Sequence, residues 1–362
     1  MNQSKKGRKR RPFRIGRVFL GLILALVICA ACAVLALTLT EYKPQESELK
    51  RNEIPESAPK LSQGASLTVL SYNTGYAALG ENADFFLDGG TSTRPGSKDT
   101  VLDNLAGITA EIKQSGADIV LLQEVDTGSK RSYNVNEAER FAAELAGMAS
   151  SFALNYKSAY VPYPFPETIG KVSSGLATFL KYPSQSSERV QLPVPFSWPM
   201  RCFNLKRCLL IDRIPIEGSE SELVVVNLHL EAYDSGEGKI AQTRRLYQLL
   251  EEESEKGNYV IVGGDFNQTF PGAVLFPAVK EGNWMPMVVE DTLPAGCRFA
   301  VDGQTPTCRL LDEPLKGNQN PQYYIIDGFI VSSNVIVDSV ETVETGFVYS
   351  DHQPVKLAIT LG

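Results

Sequence analysis

Histidine is nearly absent from this chain: 362 residues carry two, His229 and His352. That scarcity excludes any site built on clustered imidazoles, and it makes the surroundings of those two residues informative. Residues 1–17 contain no acid, and 18–40 contain no charge of either sign. There is no internal repeat and no low-complexity tract. Cations are also in short supply beyond the N-terminus: setting aside the eight Lys and Arg of residues 1–17 leaves 27 against 42 Asp plus Glu, a net charge of about −15. Such acidity disfavours an unspecific grip on nucleic acid, which rests on phosphate neutralisation, although a local basic cleft stays open. Of six cysteines, four fall outside the first 40 residues, and no histidine lies close to either pair, which reads against a zinc site.

Composition divides the chain into segments. Residues 1–17 form a basic tail expected on the cytoplasmic side. Residues 18–40, at 1.5 Å per residue, span about 34 Å as a helix, enough to cross a bilayer as an uncleaved anchor. The basic flank predicts that everything after Thr40 lies outside the cytoplasm, at a cell membrane spanned once. A cleaved signal peptide is the alternative, given the small residues Ala31-Cys32-Ala33. Residues 41–66, with Pro44, Pro55 and Pro59, read as an extended linker. Residues 67–362 are long enough for one large core. The compartment permits disulfides, and the spacing suggests Cys202 with Cys208 and Cys297 with Cys308 among three possible connectivities, with four unpaired, partly buried thiols as the alternative.

Within 67–362, apolar runs alternate with helical stripes. Leu67 to Asn73 predicts a strand, 98–115 a helix ended by Gly116, and Ala117 to Val125 a strand closed by Gln123-Glu124. Further strands are expected at 152–161, 175–180 and 223–229, with helices near 137–148 and 239–255. The stretch 183–211 reads as a packed connection, with a lid or membrane-touching loop as the other reading. The run Val260-Ile261-Val262 stops at Gly263-Gly264 and then presents Asp265 and Asn267 on one side. His229 ends its strand, with Asn227 two residues before it. Asp327 sits alone inside an apolar strand, which is costly unless it is paired, and a histidine is its natural partner. Asp351-His352 precede the last strand.

The ordered set Asn73, Gln123-Glu124, Asn227-x-His229, Gly264-Asp265-x-Asn267, Asp327 and Ser350-Asp351-His352 resembles the endonuclease/exonuclease/phosphatase superfamily from Leu67 to the C-terminus. It is most similar to the deoxyribonuclease and neutral sphingomyelinase branches. The resemblance implies an α/β fold, a four-layer sandwich of two packed mixed β-sheets flanked by helices, here preceded by one transmembrane helix. It implies a phosphoesterase using Mg²⁺, or Mn²⁺ in its place. Glu124 would be the metal-ligand carboxylate, supported by Asn73 and Asp351. Asp265 and Asn267 would orient the attacking water and hold a phosphate oxygen. His352, oriented by Asp327, would be the general base or its equivalent, and His229 the partner that serves the phosphate or the leaving oxygen, members of the family differing over which histidine does which, with Asn227 and Asn267 also on the phosphate. The substrate is then a phosphate ester of lipid, inositol or nucleic acid, and no protein partner is expected. A surface nuclease and a non-catalytic binding domain are the competing readings.

Overall fold

Alternating apolar residues give each strand two useful faces, and in this chain both are covered. The computed structural model describes residues 13–50, 58–234 and 236–362; the basic tail through Pro12 lies outside the described residues. In chain order the elements begin with helix α1 (Phe13–Leu39), strands β1 (Ser47–Lys50), β2 (Leu61–Ser62) and β3 (Ser66–Asn73), helix α2 (Lys98–Ser115), strand β4 (Ile119–Asp126) and helix α3 (Glu137–Glu144). Strands β5 (Ala149–Val161), β6 (Gly170–Leu180), β7 (Ser186–Gln191), β8 (Cys208–Glu217) and β9 (Glu222–His229) lead to helix α4 (Glu237–Glu255). The chain closes with β10 (Tyr259–Asp265), β11 (Cys297–Ala300), β12 (Cys308–Arg309), β13 (Tyr323–Tyr324), β14 (Asp327–Ser332), β15 (Val335–Thr342) and β16 (Val355–Leu361).

One sheet runs β1-β7-β8-β9-β10-β14-β11 with β2 on β8, and the other runs β15-β16-β3-β4-β6-β5. Their inner faces meet through Val69, Ile119 and Leu121 on one side and Val225, Ile261 and Phe329 on the other. Each neighbouring residue in sequence points outward. Leu70, Val120 and Leu122 carry α2 and α3, while Val224, Val260 and Val262 carry α4. This is the expected four-layer α/β sandwich. Full burial of each such side chain contributes about 1.5–3 kcal/mol. Helix α2 starts where Ser97 accepts the Thr100 amide at 3.2 Å and stops at Gly116 in the left-handed conformation (φ 62°).

Two buried polar residues pin the layers together. Asn227, on β9, donates to the carbonyls of Leu122 (3.1 Å) and Ala177 (3.0 Å) in the opposite sheet and accepts from Gln123 (2.8 Å). Asp212, on β8, accepts from Ser151 of the opposite sheet at 2.9 Å and from Ser187 of its own. Burial raises the Asp212 carboxyl to about 6, against the pull of its hydroxyl donors.

Two expectations need correction. The linker over 41–66 is partly docked: Ser47–Lys50 pairs with β7 and Leu61–Ser62 with β8. As an edge strand, β1 alternates exposed and half-buried positions, so it has no apolar signature to read. The cysteines are free thiols. Cys202 packs with Tyr156 and Val161, Cys208 with Leu210, Cys297 lies 3.6 Å from Ser254 Oγ, and Cys308 packs with Leu310. Cys202/Cys208 and Cys297/Cys308 thus occupy separate packing environments rather than shared ones.

One helix among the described residues, Gly16–Leu39 of α1, is long and apolar enough to cross a membrane.

Candidate active site

Backbone register assembles the centre of the site. Asp265 at the end of β10 pairs with His229 of parallel β9 and with Asp327 of antiparallel β14, so three functional side chains occupy one rung. Gly264 permits this turn: it has φ 150°, and a Cβ there would stand 2.0 Å from the Leu228 carbonyl oxygen. Asn267 follows with φ 48°, its amide N–H donating to Asp265 Oδ1 at 2.8 Å and its carboxamide to Leu230 O at 2.9 Å. A non-glycine residue held at positive φ stores strain, which fits a position that must be aimed.

The other sheet supplies the facing wall. Pairing between β4 and β6 breaks between Leu122 and Val125, and at this bulge Glu124 adopts φ 58°. The bulge turns Glu124 out of the ladder and into the cleft. Asn73, ending β3, donates to Asp265 Oδ2 at 3.0 Å. His352, between β15 and β16, is bridged to Cys308 and places Nδ1 2.8 Å from Asp327 Oδ2. On the same Asp265 Oδ2 converge His229 Nε2 at 3.3 Å and His352 Nε2 at 3.8 Å.

These contacts drive the histidines apart. Burial, followed by the Arg207 guanidinium, holds His229 well below the usual imidazole range. Burial also works against charge on His352, but the Asp327 carboxylate overrides it and holds the ring well above that range. Burial and neighbouring Asp327 push Asp265 up to about 7. One neutral ring, one charged ring and a carboxyl near neutrality give the site both a donor and an acceptor of protons.

Two groupings could meet a cation. Asp265, Asp327 and His352 bring ligand atoms within 4.8 Å of one another. Their closest contact, however, is already a charge-assisted hydrogen bond. Asn73, Glu124 and Asp351 offer oxygen donors, the set a hard cation prefers. Burial, with a smaller push from the Glu124 carboxylate, raises Asp351 to about 6. A buried carboxylate that feels the charge of a half-buried one is the kind of arrangement a divalent cation relieves. The oxygen set is the better fit for a hard divalent cation.

Most of these groups face a cleft of about 1070 Å³ whose lining includes Glu124, His229, Asp265, Asn267, Asp351 and His352, while Asn73 and Asp327 stand behind them. Asn227 does not reach it. The strand alternation places Asn227 between the sheets, 0% exposed and with its carboxamide engaged as described above, so the expected phosphate contact is replaced by a structural one.

Sequence reading missed three residues. Arg131 grips Asp126 through Nε (3.2 Å) and a terminal nitrogen (3.0 Å), stacks 3.6 Å from the Tyr76 ring centroid and reaches to 4.0 Å from Glu124. Arg207 pairs with Glu231 at 3.5 Å and donates to the His229 carbonyl at 3.2 Å. Both line the cleft, as does Asp88, whose carboxyl burial raises to about 7 while Tyr233 donates to it. The arginines sit in loops without periodicity, and nothing in the sequence marks them as buried.

The profile of the Endonuclease/Exonuclease/phosphatase family matches residues 70–352. Among solved structures the chain is similar to an endonuclease/exonuclease/phosphatase from Beutenbergia cavernae (19% identity, 82% of this chain and 72% of that one, TM-score 0.54). It is also similar to the human Nocturnin catalytic domain with bound sulfate (16%, 86% and 98%, 0.52) and to an endonuclease/exonuclease/phosphatase from Bacteroides vulgatus (16%, 82% and 100%, 0.52). At these identities the likeness is one of fold. No curated protein matches the chain.

Proposed function

Since the chain belongs to the endonuclease/exonuclease/phosphatase family and is a metal-dependent hydrolase of phosphate esters, we propose that it works as a Mg²⁺-dependent enzyme anchored by α1, with its catalytic domain on the extracytoplasmic side. The observation that carries the chemistry is the convergence on Asp265 Oδ2 of Asn73 (3.0 Å), His229 (3.3 Å) and His352 (3.8 Å). The basic flank of α1 supports the orientation.

In this reading Glu124 and Asp351, with Asn73, hold the cation, which when bound offsets the charge growing on the phosphate. The side chains do the rest. Asp265, with a carboxyl near neutrality, takes the proton of the attacking water at Oδ2, while Asn267 holds the water or a phosphate oxygen in line. His352 is charged through Asp327 before substrate arrives, which suits it to give a proton to the leaving oxygen rather than to act as base. His229, neutral, donates a hydrogen bond to a non-bridging oxygen. In this reading base duty falls to Asp265 rather than to either histidine.

The test is hydrolysis by the full-length protein of a chromogenic phosphodiester and monoester, of plasmid DNA and of inositol phosphates, with Mg²⁺ or chelator, beside His352→Ala. Metal-dependent turnover lost in the variant supports the reading. A folded protein that turns over no substrate under any metal would sink it and favour a binding domain.

A further inference from the structure

The last turn of α1 is clamped to the rim of the cleft. Trp198 Nε1 donates to Thr38 Oγ1 at 3.0 Å, and Leu37 packs against the cluster of Tyr156, Ile169 and Phe203. The Glu41 carboxylate, two residues beyond the helix, pairs with Arg201 at 3.2 Å and Lys206 at 3.4 Å. Trp198 to Lys206 is the segment whose Met200, Asn204 and Leu205 line the cleft. The mouth therefore lies at the end of the molecule where α1 emerges.

That mouth is apolar in an unusual way. Leu87, Phe165, Trp198, Met200 and Tyr233 are 44, 92, 53, 46 and 52% exposed. They come from four loops, three of them joined by edge-to-face ring contacts: Phe85 on Phe86 (4.9 Å), Phe86 on Tyr163 (6.2 Å) and Tyr163 on Phe203 (5.8 Å). Phe165 lies in the loop between Tyr163 and Ile169, both of which line the cleft. Exposed apolar side chains on loops beside one opening, with a Trp whose N–H is satisfied and whose ring is half exposed, are what a membrane interface accepts.

Charge at the opening argues in the same direction. Each cation lining the cleft is engaged: Arg131 with Asp126, Arg207 with Glu231, Lys280 with Asp312 and Glu313, and Arg309 with the carbonyls of Gly80 and Ala83. A nucleic-acid strand needs cations spaced along its backbone, and these four are committed elsewhere.

We infer that the loops bearing Leu87, Phe165, Trp198 and Met200 seat on the surface of the bilayer that α1 crosses, and that the substrate is a phosphate ester of a lipid in that bilayer, presented headgroup first to the cleft. This rests on the phosphoesterase reading and names its substrate class. Holding the mouth against the surface gives the anchor a purpose beyond tethering, because lipid reaches the site by lateral diffusion without leaving its leaflet.

The experiment reconstitutes the full chain in vesicles of phosphatidylcholine, phosphatidylglycerol and phosphatidate, and measures release of water-soluble phosphorus beside hydrolysis of bis(p-nitrophenyl) phosphate. Phe165→Ser and Trp198→Ser should each lower vesicle-lipid turnover about tenfold or more, while the soluble diester is hydrolysed within about twofold of wild type. Wild-type protein inactive on both substrates would remove the phosphoesterase reading itself. Activity on the soluble diester with no lipid turnover, or lipid turnover unchanged in both variants, would overturn the inference alone. If both variants lose both activities, Trp198 emission decides: in Trp284→Phe protein it should be quenched by brominated lipid, and an unquenched signal overturns the proposal.

Discussion

His352 Nδ1 stands 2.8 Å from Asp327 Oδ2, although Asp327 opens β14 of one sheet and His352 lies in the loop that leads to β16 of the other. Neither could be fully buried alone at low cost; together each supplies what the other lacks. Asp327 is held in turn by its amide N–H, which donates to Thr307 Oγ1 at 3.1 Å. The pair fixes both the ring's orientation and its proton.

Replacing one member should therefore be severe. His352→Ala is expected to lower kcat by about 10²–10⁴-fold, the usual worth of a positioned acid or base. Asp327→Asn should fall in the same range, because an amide neither holds the charge nor fixes the tautomer. Steady-state kinetics on a chromogenic phosphodiester, with circular dichroism confirming the fold, checks both.

Chelation should abolish turnover and Mg²⁺ should restore it. Glu124→Gln keeps the shape and hydrogen-bonding reach of the side chain but removes one charge from the oxygen pole. The Mg²⁺ concentration for half-maximal rate should then rise by about 10–100-fold. An unchanged metal requirement would move the cation to the other grouping, Asp265, Asp327 and His352.

Asn227→Ala should cost stability rather than chemistry. It leaves the Leu122 and Ala177 carbonyls and the Gln123 amide without their buried partner, about 1–3 kcal/mol for each group left unmade. Thermal unfolding should shift down, while kcat measured well below the transition stays within a few-fold of wild type. A large loss of kcat at unchanged Tm would put Asn227 back on the phosphate.

Asp212 sets a pH dependence well away from the catalytic rung. Its folded carboxyl is raised to about 6, so the folded state binds the proton more tightly than the unfolded one. Stability should fall as pH rises from about 4 to about 6, and the cost at neutral pH approaches 3 kcal/mol. Asp212→Asn should flatten that slope and raise Tm at pH 7. Denaturant unfolding of the two proteins at pH 4.5 and pH 7 measures the difference.

The site was legible wherever polarity interrupts a buried strand. Asp327 inside Tyr324-Ile325-Ile326 and Gly328-Phe329-Ile330, and Asp265 after two glycines, have no core explanation, and the structure sets both on one rung. Asn227 obeys the same pattern and misleads, because alternation gives the face a residue points to, not how far along that face the cleft extends. Arg131 and Arg207 left no trace because loop cations lack periodicity. Glu41 and Tyr42 were equally silent: Glu41 finds Arg201 and Lys206, and Tyr42 lies beneath Lys157 and Arg189, all more than a hundred residues away. The fold was the easier part, since strand and helix periods recur along nearly the whole domain.

The rung His229–Asp265–Asp327 draws its residues from β9, β10 and β14, while Asn73 and Glu124 come from the other sheet and His352 from the loop before its strand β16. Slip β10 by one residue and Gly264 takes Asp265's place between its neighbours. No single hairpin, and neither sheet alone, holds enough of the site to function. Catalysis in this protein is accordingly a property of the finished sandwich: a chain in which either sheet is still open holds no complete site.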